Sequence, residues 1–150
     1  MSLSDQTGSN FIPMNNEPIL TKNAIISVDG GNVLHGLKST DAGFDGFGEA
    51  YFSLVDKDYI KAWKRHRVMT LNFIVISGKI KIVTLDDSKN KFFEFNLSTS
   101  NYHRLTIPPM YWVGFKGMSA EQNILLNIAN IPHDPDEVDR KEIQEVDYKW

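Results

Sequence analysis

Apolar residues in this chain fall in short runs separated by turn residues, about every ten positions. Ala24 to Val28 is rich in β-branched side chains and ends at Asp29-Gly30-Gly31, a tight-turn signal. Val33 to Leu37 is a second run, and Thr40 to Gly48, with three glycines, reads as a loop. Glu49 to Val55 predicts a strand. Leu71 to Ile76 and Lys79 to Leu85 flank Ser77-Gly78 and predict a hairpin. Lys79-Ile80-Lys81-Ile82 alternates polar and apolar, the sign of a strand with one wet face. Asp86 to Asn90 is a turn, and Lys91 to Leu97 carries three phenylalanines. Tyr102 to Ile107 alternates until Pro108-Pro109 ends the ladder, and Gln122 to Ile128 is one more apolar run. Only Pro135 to Val146 has room for a helix, a short one. The pattern predicts an all-β sandwich or barrel in a single domain over residues 18–150, with residues 1–17 as a loose polar arm.

Composition narrows the function classes. The 150 residues are 41% hydrophobic, enough for a real core, and none is cysteine. Disulfides, thiol catalysis and Cys-ligated metal sites are thereby excluded. No apolar run approaches the ~20 residues of a membrane-spanning helix, and Met1 to Asn10 lacks the regions of a signal peptide, so the expectation is a soluble cytoplasmic protein with no membrane partner. The net charge of -3 argues against a nucleic-acid partner. From Asp134 onward there are seven acidic and three basic residues, which leaves residues 1–133 about neutral. This acidic tail reads as a solvated edge.

Chemistry concentrates in Trp63-Lys64-Arg65-His66-Arg67-Val68-Met69-Thr70-Leu71-Asn72. Three cations surround one histidine. Strand periodicity puts Lys64, His66 and Val68 on one face, and Arg65 and Arg67 on the other. Like charge disfavours an imidazolium, and a neutral imidazole is a general base near pH 7. The cations suit a phosphate-bearing substrate. The plain alternative is a solvated basic edge with an idle histidine. A second stretch runs from Leu97 through Pro108-Pro109 to Phe115, where Tyr111 and Trp112 offer stacking surfaces or ordinary core packing. His35 and His103 read as packed or surface residues. A metal-binding cupin needs about three histidines and a carboxylate from two strands. Here Lys64 and Val68 flank His66 at the two-residue spacing and the histidines at 35, 66, 103 and 133 are scattered, so no metal site is expected.

These residues carry a family resemblance. The basic-flanked His66, then Ile76-Ser77-Gly78-Lys79-Ile80-Lys81-Ile82-Val83 with Asp86, then Leu97-Ser98, Arg104-Leu105-Thr106-Ile107-Pro108 and Gly114-Phe115 resemble the dTDP-4-dehydrorhamnose 3,5-epimerase family. Asn130-Ile131-Pro132-His133-Asp134-Pro135-Asp136-Glu137 is similar to that family's later Tyr-x-Pro-x-x-Glu stretch. The resemblance covers roughly residues 48 to 140 and implies a cupin-type jelly-roll (a double-stranded β-helix) and a homodimer.

The chemistry so implied acts on a nucleotide-linked 4-keto-6-deoxyhexose in deoxysugar and surface-polysaccharide biosynthesis, with no cofactor and no metal. A histidine oriented by an aspartate removes a proton next to the keto group. A lysine stabilises the enolate oxygen, and a tyrosine returns a proton from the other face. Residue by residue, His66 matches the base. Lys64 or Arg65 stands near the family arginine. The family lysine falls near Leu71 or Asn72, so Lys64 or Arg67 must replace it. The family tyrosine falls near Pro132 or His133, which makes His133 a candidate acid. Asp139 or Asp147 is the candidate orienting aspartate. Val113 stands where the family has a histidine before Gly-Phe. The expected catalytic residues are therefore His66 and His133, and the expected substrate-binding residues Lys64, Arg65, Arg67, Asn72, Tyr111 and Trp112. These departures leave three functions open: epimerase, sugar 3,4-ketoisomerase, or non-catalytic sugar-nucleotide binder. The two enzymes require a proton donor across the cavity from His66, with Tyr51, Tyr111 and His133 as candidates. The binder requires only aromatic and apolar walls there.

Overall fold

A computed structural model describes residues 16–150, so nearly all of the expected N-terminal arm lies outside the described residues. Twelve strands follow in order among them: β1 (Ile19–Lys22), β2 (Ile25–Ile26), β3 (Val33–Leu34), β4 (Glu49–Val55), β5 (Ile60–His66), β6 (Leu71–Ser77), β7 (Lys79–Asp86), β8 (Lys91–Ser98), β9 (His103–Ile107), β10 (Trp112–Gly117), β11 (Asn123–Ala129) and β12 (Val138–Arg140). Sheet I has the order β1-β9-β6-β11-β4, sheet II the order β12-β5-β10-β7-β8, and all pairings are antiparallel. This is the predicted all-β jelly-roll. The Asp29-Gly30-Gly31 turn joins the β2–β3 hairpin, and Asp86 to Asn90 joins the long β7–β8 hairpin. No helix among the described residues is long and apolar enough to cross a membrane.

The core lies between the sheets and is written in the alternation. Leu71, Phe73 and Val75 on β6, Leu105 and Ile107 on β9 and Leu125 on β11 face Ile80, Ile82, Leu97 and Val113 of sheet II. The intervening residues of β11 are only half-buried, as period two requires. A second apolar cluster covers the outer face of sheet II. There Trp63, Val83, Leu85 and Trp112 are covered by Val146, Tyr148 and Trp150 from the C-terminal segment.

Two expectations are corrected. Leu71 to Ile76 and Lys79 to Leu85 are strands, but β6 and β7 belong to different sheets and do not form a hairpin. Both strands carry an apolar stripe that must be buried, so they pack face to face across the core. Gly78 turns the chain between the sheets at a φ of +74°, and a Cβ there would lie 2.3 Å from Asn123 Oδ1. Pro135 to Val146 forms no continuous helix. It holds two single turns of 3-10 helix, Pro135–Glu137 and Ile143–Glu145, on either side of β12. Asp134 caps the first turn, its carboxylate accepting from Asp136 N at 3.0 Å, and Pro135 pre-sets the entry.

Candidate active site

After β11 the chain crosses from sheet I to sheet II and lays β12 beside β5, pairing Val138 with His66, Asp139 with Arg65 and Arg140 with Lys64. The capped turn before β12 delivers Glu137 to the end of β5. Glu137 Oε2 is hydrogen-bonded to His66 Nδ1, and both residues are buried, 5% and 7% exposed. The other oxygen, Oε1, accepts from Val68 N at 2.8 Å and Met69 N at 3.0 Å. Burial alone would raise the Glu137 pKa. The hydrogen bonds from His66, Met69 N–H and Val68 N–H outweigh it and hold the carboxyl below its ordinary value. A carboxylate pinned by two backbone donors fixes the ring it touches, and so fixes which nitrogen carries the proton.

His66 opens on a cleft of about 720 Å³ between the sheets. Lys64, Val113 and Phe115 line it from sheet II, and Tyr51, Leu71, Phe73, Leu125 and Asn127 from sheet I. Arg140, Lys141 and the Ile143–Glu145 turn form part of its rim. Lys64 is half-buried. Desolvation first, and the Arg140 guanidinium second, lower its pKa, with Glu137 opposing. Across from His66, the Tyr51 hydroxyl accepts a hydrogen bond from Asn127 Nδ2 at 3.2 Å, which leaves the phenolic proton free for the cleft. Among the described residues no three His, Asp or Glu side chains converge as a metal-ligand set.

Of the eight site residues expected from sequence, only His66 and Lys64 line the cleft. Strand β5 ends at His66, so the alternation does not reach Val68, which is 56% exposed. Arg65 turns outward to Asp139 Oδ2 at 2.8 Å and stacks 4.7 Å over Trp112. Arg67 binds Asp139 Oδ1 at 3.0 Å and the Asp136 carbonyl. These two cations therefore neutralise the tail and do not crowd the imidazole. Asn72 faces the outer side of sheet I. There its Oδ1 accepts from Arg104 Nη1 at 2.8 Å and Thr106 Oγ1 at 2.6 Å, and its Nδ2 donates to Gly43 O. Tyr111 is packed against Phe93 in the core. Trp112 lies in the outer cluster, its indole N–H donating to Asp87 at 3.0 Å. His133 is exposed in the loop before the capped turn, outside the cleft lining.

The carboxylate hydrogen-bonded to His66 is Glu137, not Asp139 or Asp147. Asp139 is engaged by Arg65 and Arg67, and Asp147 is exposed. Most of the acidic tail is solvated, as expected, with Asp134, Asp136, Glu142, Glu145 and Asp147 exposed, but Glu137 departs from it and is buried against His66. Asn127 and Arg140 carried no signal beyond ordinary strand and tail residues. Glu137 stood in the sequence as the last residue of the Asn130–Glu137 stretch, with nothing there to tie it to His66.

The fold has known counterparts. No family model matches the chain. A dTDP sugar isomerase from Desulfovibrio desulfuricans G20 superposes with a TM-score of 0.84 at 33% identity, covering 89% of this chain and 90% of that one. The chain belongs to the family of this dTDP sugar isomerase. It shares the fold of a dTDP-4-dehydrorhamnose 3,5-epimerase from Bacillus anthracis, at a TM-score of 0.78 and 15% identity over 92% of this chain and 87% of that one. A sugar 3,4-ketoisomerase from Thermoanaerobacterium thermosaccharolyticum shares the fold at a TM-score of 0.73 and 22% identity over 86% of this chain and 90% of that one. A probable low-salt glycan biosynthesis epimerase of Haloferax volcanii is 26% identical over 100 residues, 63% of this chain and 64% of that protein. The match thus spans just under two thirds of the curated relative.

Proposed function

We propose that this protein epimerises a nucleotide-linked 4-keto-6-deoxyhexose in the building of a surface glycan, by removing a proton from a carbon next to the keto group. The observation that carries this reading is the buried His66–Glu137 pair opening on a cleft whose opposite wall presents the Tyr51 hydroxyl. A binding module has no need of an oriented base facing a proton donor.

In the reaction, Glu137 holds the proton on His66 Nδ1, which leaves Nε2 free to accept one from the sugar carbon. The C–H electron pair moves into a C–C double bond and the carbonyl oxygen becomes an enolate. Lys64, the cation lining the cleft two residues before His66, donates to that oxygen and takes the role of the absent family lysine. Tyr51 then protonates the same carbon from the opposite face, which inverts the centre. His66 and Tyr51 exchange protons with solvent to restore the resting state.

The dTDP sugar isomerase relative supports a second reading. The same intermediate, protonated at the former carbonyl carbon with loss of the neighbouring hydroxyl proton, gives a 3-keto sugar. Incubation with dTDP-4-keto-6-deoxyglucose in deuterated water, followed by NMR, separates the possibilities. Deuterium at C3 or C5 with the ketone still at C4 means epimerase, and deuterium at C4 with the ketone at C3 means ketoisomerase. Binding without any exchange rejects both.

The active form proposed is a homodimer. The outer face of sheet I carries Phe52, Leu54 and Ile76, all exposed, beside Ile124, Leu126 and Ile128. A contiguous apolar face of this kind fits a second copy of the chain.

A further inference from the structure

Asn127 lies mid-strand on β11, paired with Tyr51 of β4 on one side and Phe73 of β6 on the other. It lines the cleft and is only 1% exposed. Its Nδ2 is used by Tyr51, but its Oδ1 is buried without a partner. Two other buried asparagines differ. Asn72 Oδ1 takes hydrogen bonds from Arg104 and Thr106, and Asn123 Oδ1 takes them from Lys79 N and Ser119 N. A buried, unpaired amide oxygen weakens the fold, and an apolar β-branched residue would suit a central strand better. Its position in the wall of the cleft supplies a reason for it: the partner arrives with the ligand.

We infer that Asn127 reads the sugar, its Oδ1 accepting a hydrogen bond from the ring hydroxyl on the carbon next to the ketone. The inference rests on the proposed function. Oδ1 is an acceptor, so it selects a group with a proton to give. A hydroxyl has one, whereas a keto oxygen and an ionised phosphate do not. β11 is in the sheet facing β5, so Asn127 meets the sugar on the face away from His66, next to Tyr51. The amide orientation is set by the same chemistry. Turned over, it would engage the Tyr51 proton that the reaction needs. A site that hydrogen-bonds a hydroxyl discriminates strongly against a substrate lacking it. Asn127 therefore selects sugars oxygenated at that carbon over their deoxy counterparts.

The test is titration calorimetry in the His66→Asn background, where the sugar is not turned over, comparing dTDP, dTDP-4-keto-6-deoxyglucose and its 3-deoxy analogue. In Asn127→Leu, dTDP affinity should stay within about twofold. Affinity for the keto-sugar nucleotide should fall about tenfold, the size of one lost neutral hydrogen bond. The 3-deoxy analogue should bind both forms alike. The melting temperature of Asn127→Leu should hold or rise, because an unpaired polar atom has been removed. Asn127→Val provides the same comparison in a residue suited to a strand if leucine does not fit. Keto-sugar affinity unchanged by the substitution overturns the inference. A joint fall of melting temperature and dTDP affinity overturns it also, by assigning Asn127 a structural role. If the parent binds neither dTDP nor its sugars, the proposed function fails first, and this inference with it.

Discussion

Replacing Glu137 by Gln changes one atom and tests the logic of the site. Oε1 can remain in place, accepting from Val68 N and Met69 N, so the turn and the β5 end keep their hydrogen bonds. The new amide nitrogen then faces His66 Nδ1 with protons of its own. The imidazole must accept there, which forces its proton onto Nε2, the nitrogen the reaction needs free. Loss of a general base costs about 10²–10⁴-fold in rate, and the Gln substitution should fall in that range. Stability should change less. Three charge-assisted bonds become neutral ones, and at roughly half a kcal/mol to 1 kcal/mol each the loss is about 2 kcal/mol. The assays are deuterium wash-in on dTDP-4-keto-6-deoxyglucose and urea unfolding on the same preparations. Wild-type exchange in a folded Glu137→Gln protein would refute the claim that Glu137 sets the tautomer. A rate loss explained entirely by unfolding would reduce Glu137 to a structural clamp.

Because the folded Glu137 carboxyl titrates below its free value of 4.5, its stabilisation is fully present above that pH and is lost as the pH falls through the folded pKa. Urea midpoints of the wild type should therefore drop below pH 4.5, and more steeply than those of Glu137→Gln. Lys64→Met should lower kcat more than it raises KM if the ammonium meets the enolate. It should also remove an alkaline limb that lies below the 10.5 of a free lysine; an unchanged alkaline limb would assign that titration elsewhere. Sedimentation should show a dimer at micromolar concentration, shifted toward monomer by Phe52→Glu on the outer face of sheet I; a wild-type monomer would leave that face to another partner.

The strands were legible as short apolar runs between turn residues; burial alternates with period two along β11, whereas β6 and β9 are buried on both faces over most of their length. It did not reveal which strands would pair. The Ser77-Gly78 turn is compatible with a hairpin or with a step between sheets, and only the requirement to bury both stripes face to face decides it. His66 and Lys64 were readable because they sit on one strand at a two-residue spacing. Arg65 alternates outward as that spacing requires and Arg67 lies just past the strand end, yet the role of both depended on Asp139, more than seventy residues away in sequence. Glu137 and Asn127 were illegible for the same reason. Their contacts with His66 and Tyr51 span 71 and 76 residues, set by the return of the chain to β12 and by the β4–β11 pairing. Trp112 and Tyr111 were misplaced by a similar ambiguity, since an aromatic strand next to a Pro-Pro bend packs equally well in a core or in a binding wall.

Whether His66 is the base is read from the rate of solvent deuterium incorporation into dTDP-4-keto-6-deoxyglucose by wild type and by His66→Asn, with folding checked by circular dichroism. Asparagine keeps a polar group of similar size but no basic nitrogen. With His66 as the base, the wild type exchanges next to the ketone and the variant is slower by about 10²–10⁴-fold at nearly unchanged stability. Exchange at the wild-type rate by a folded His66→Asn protein would contradict that role.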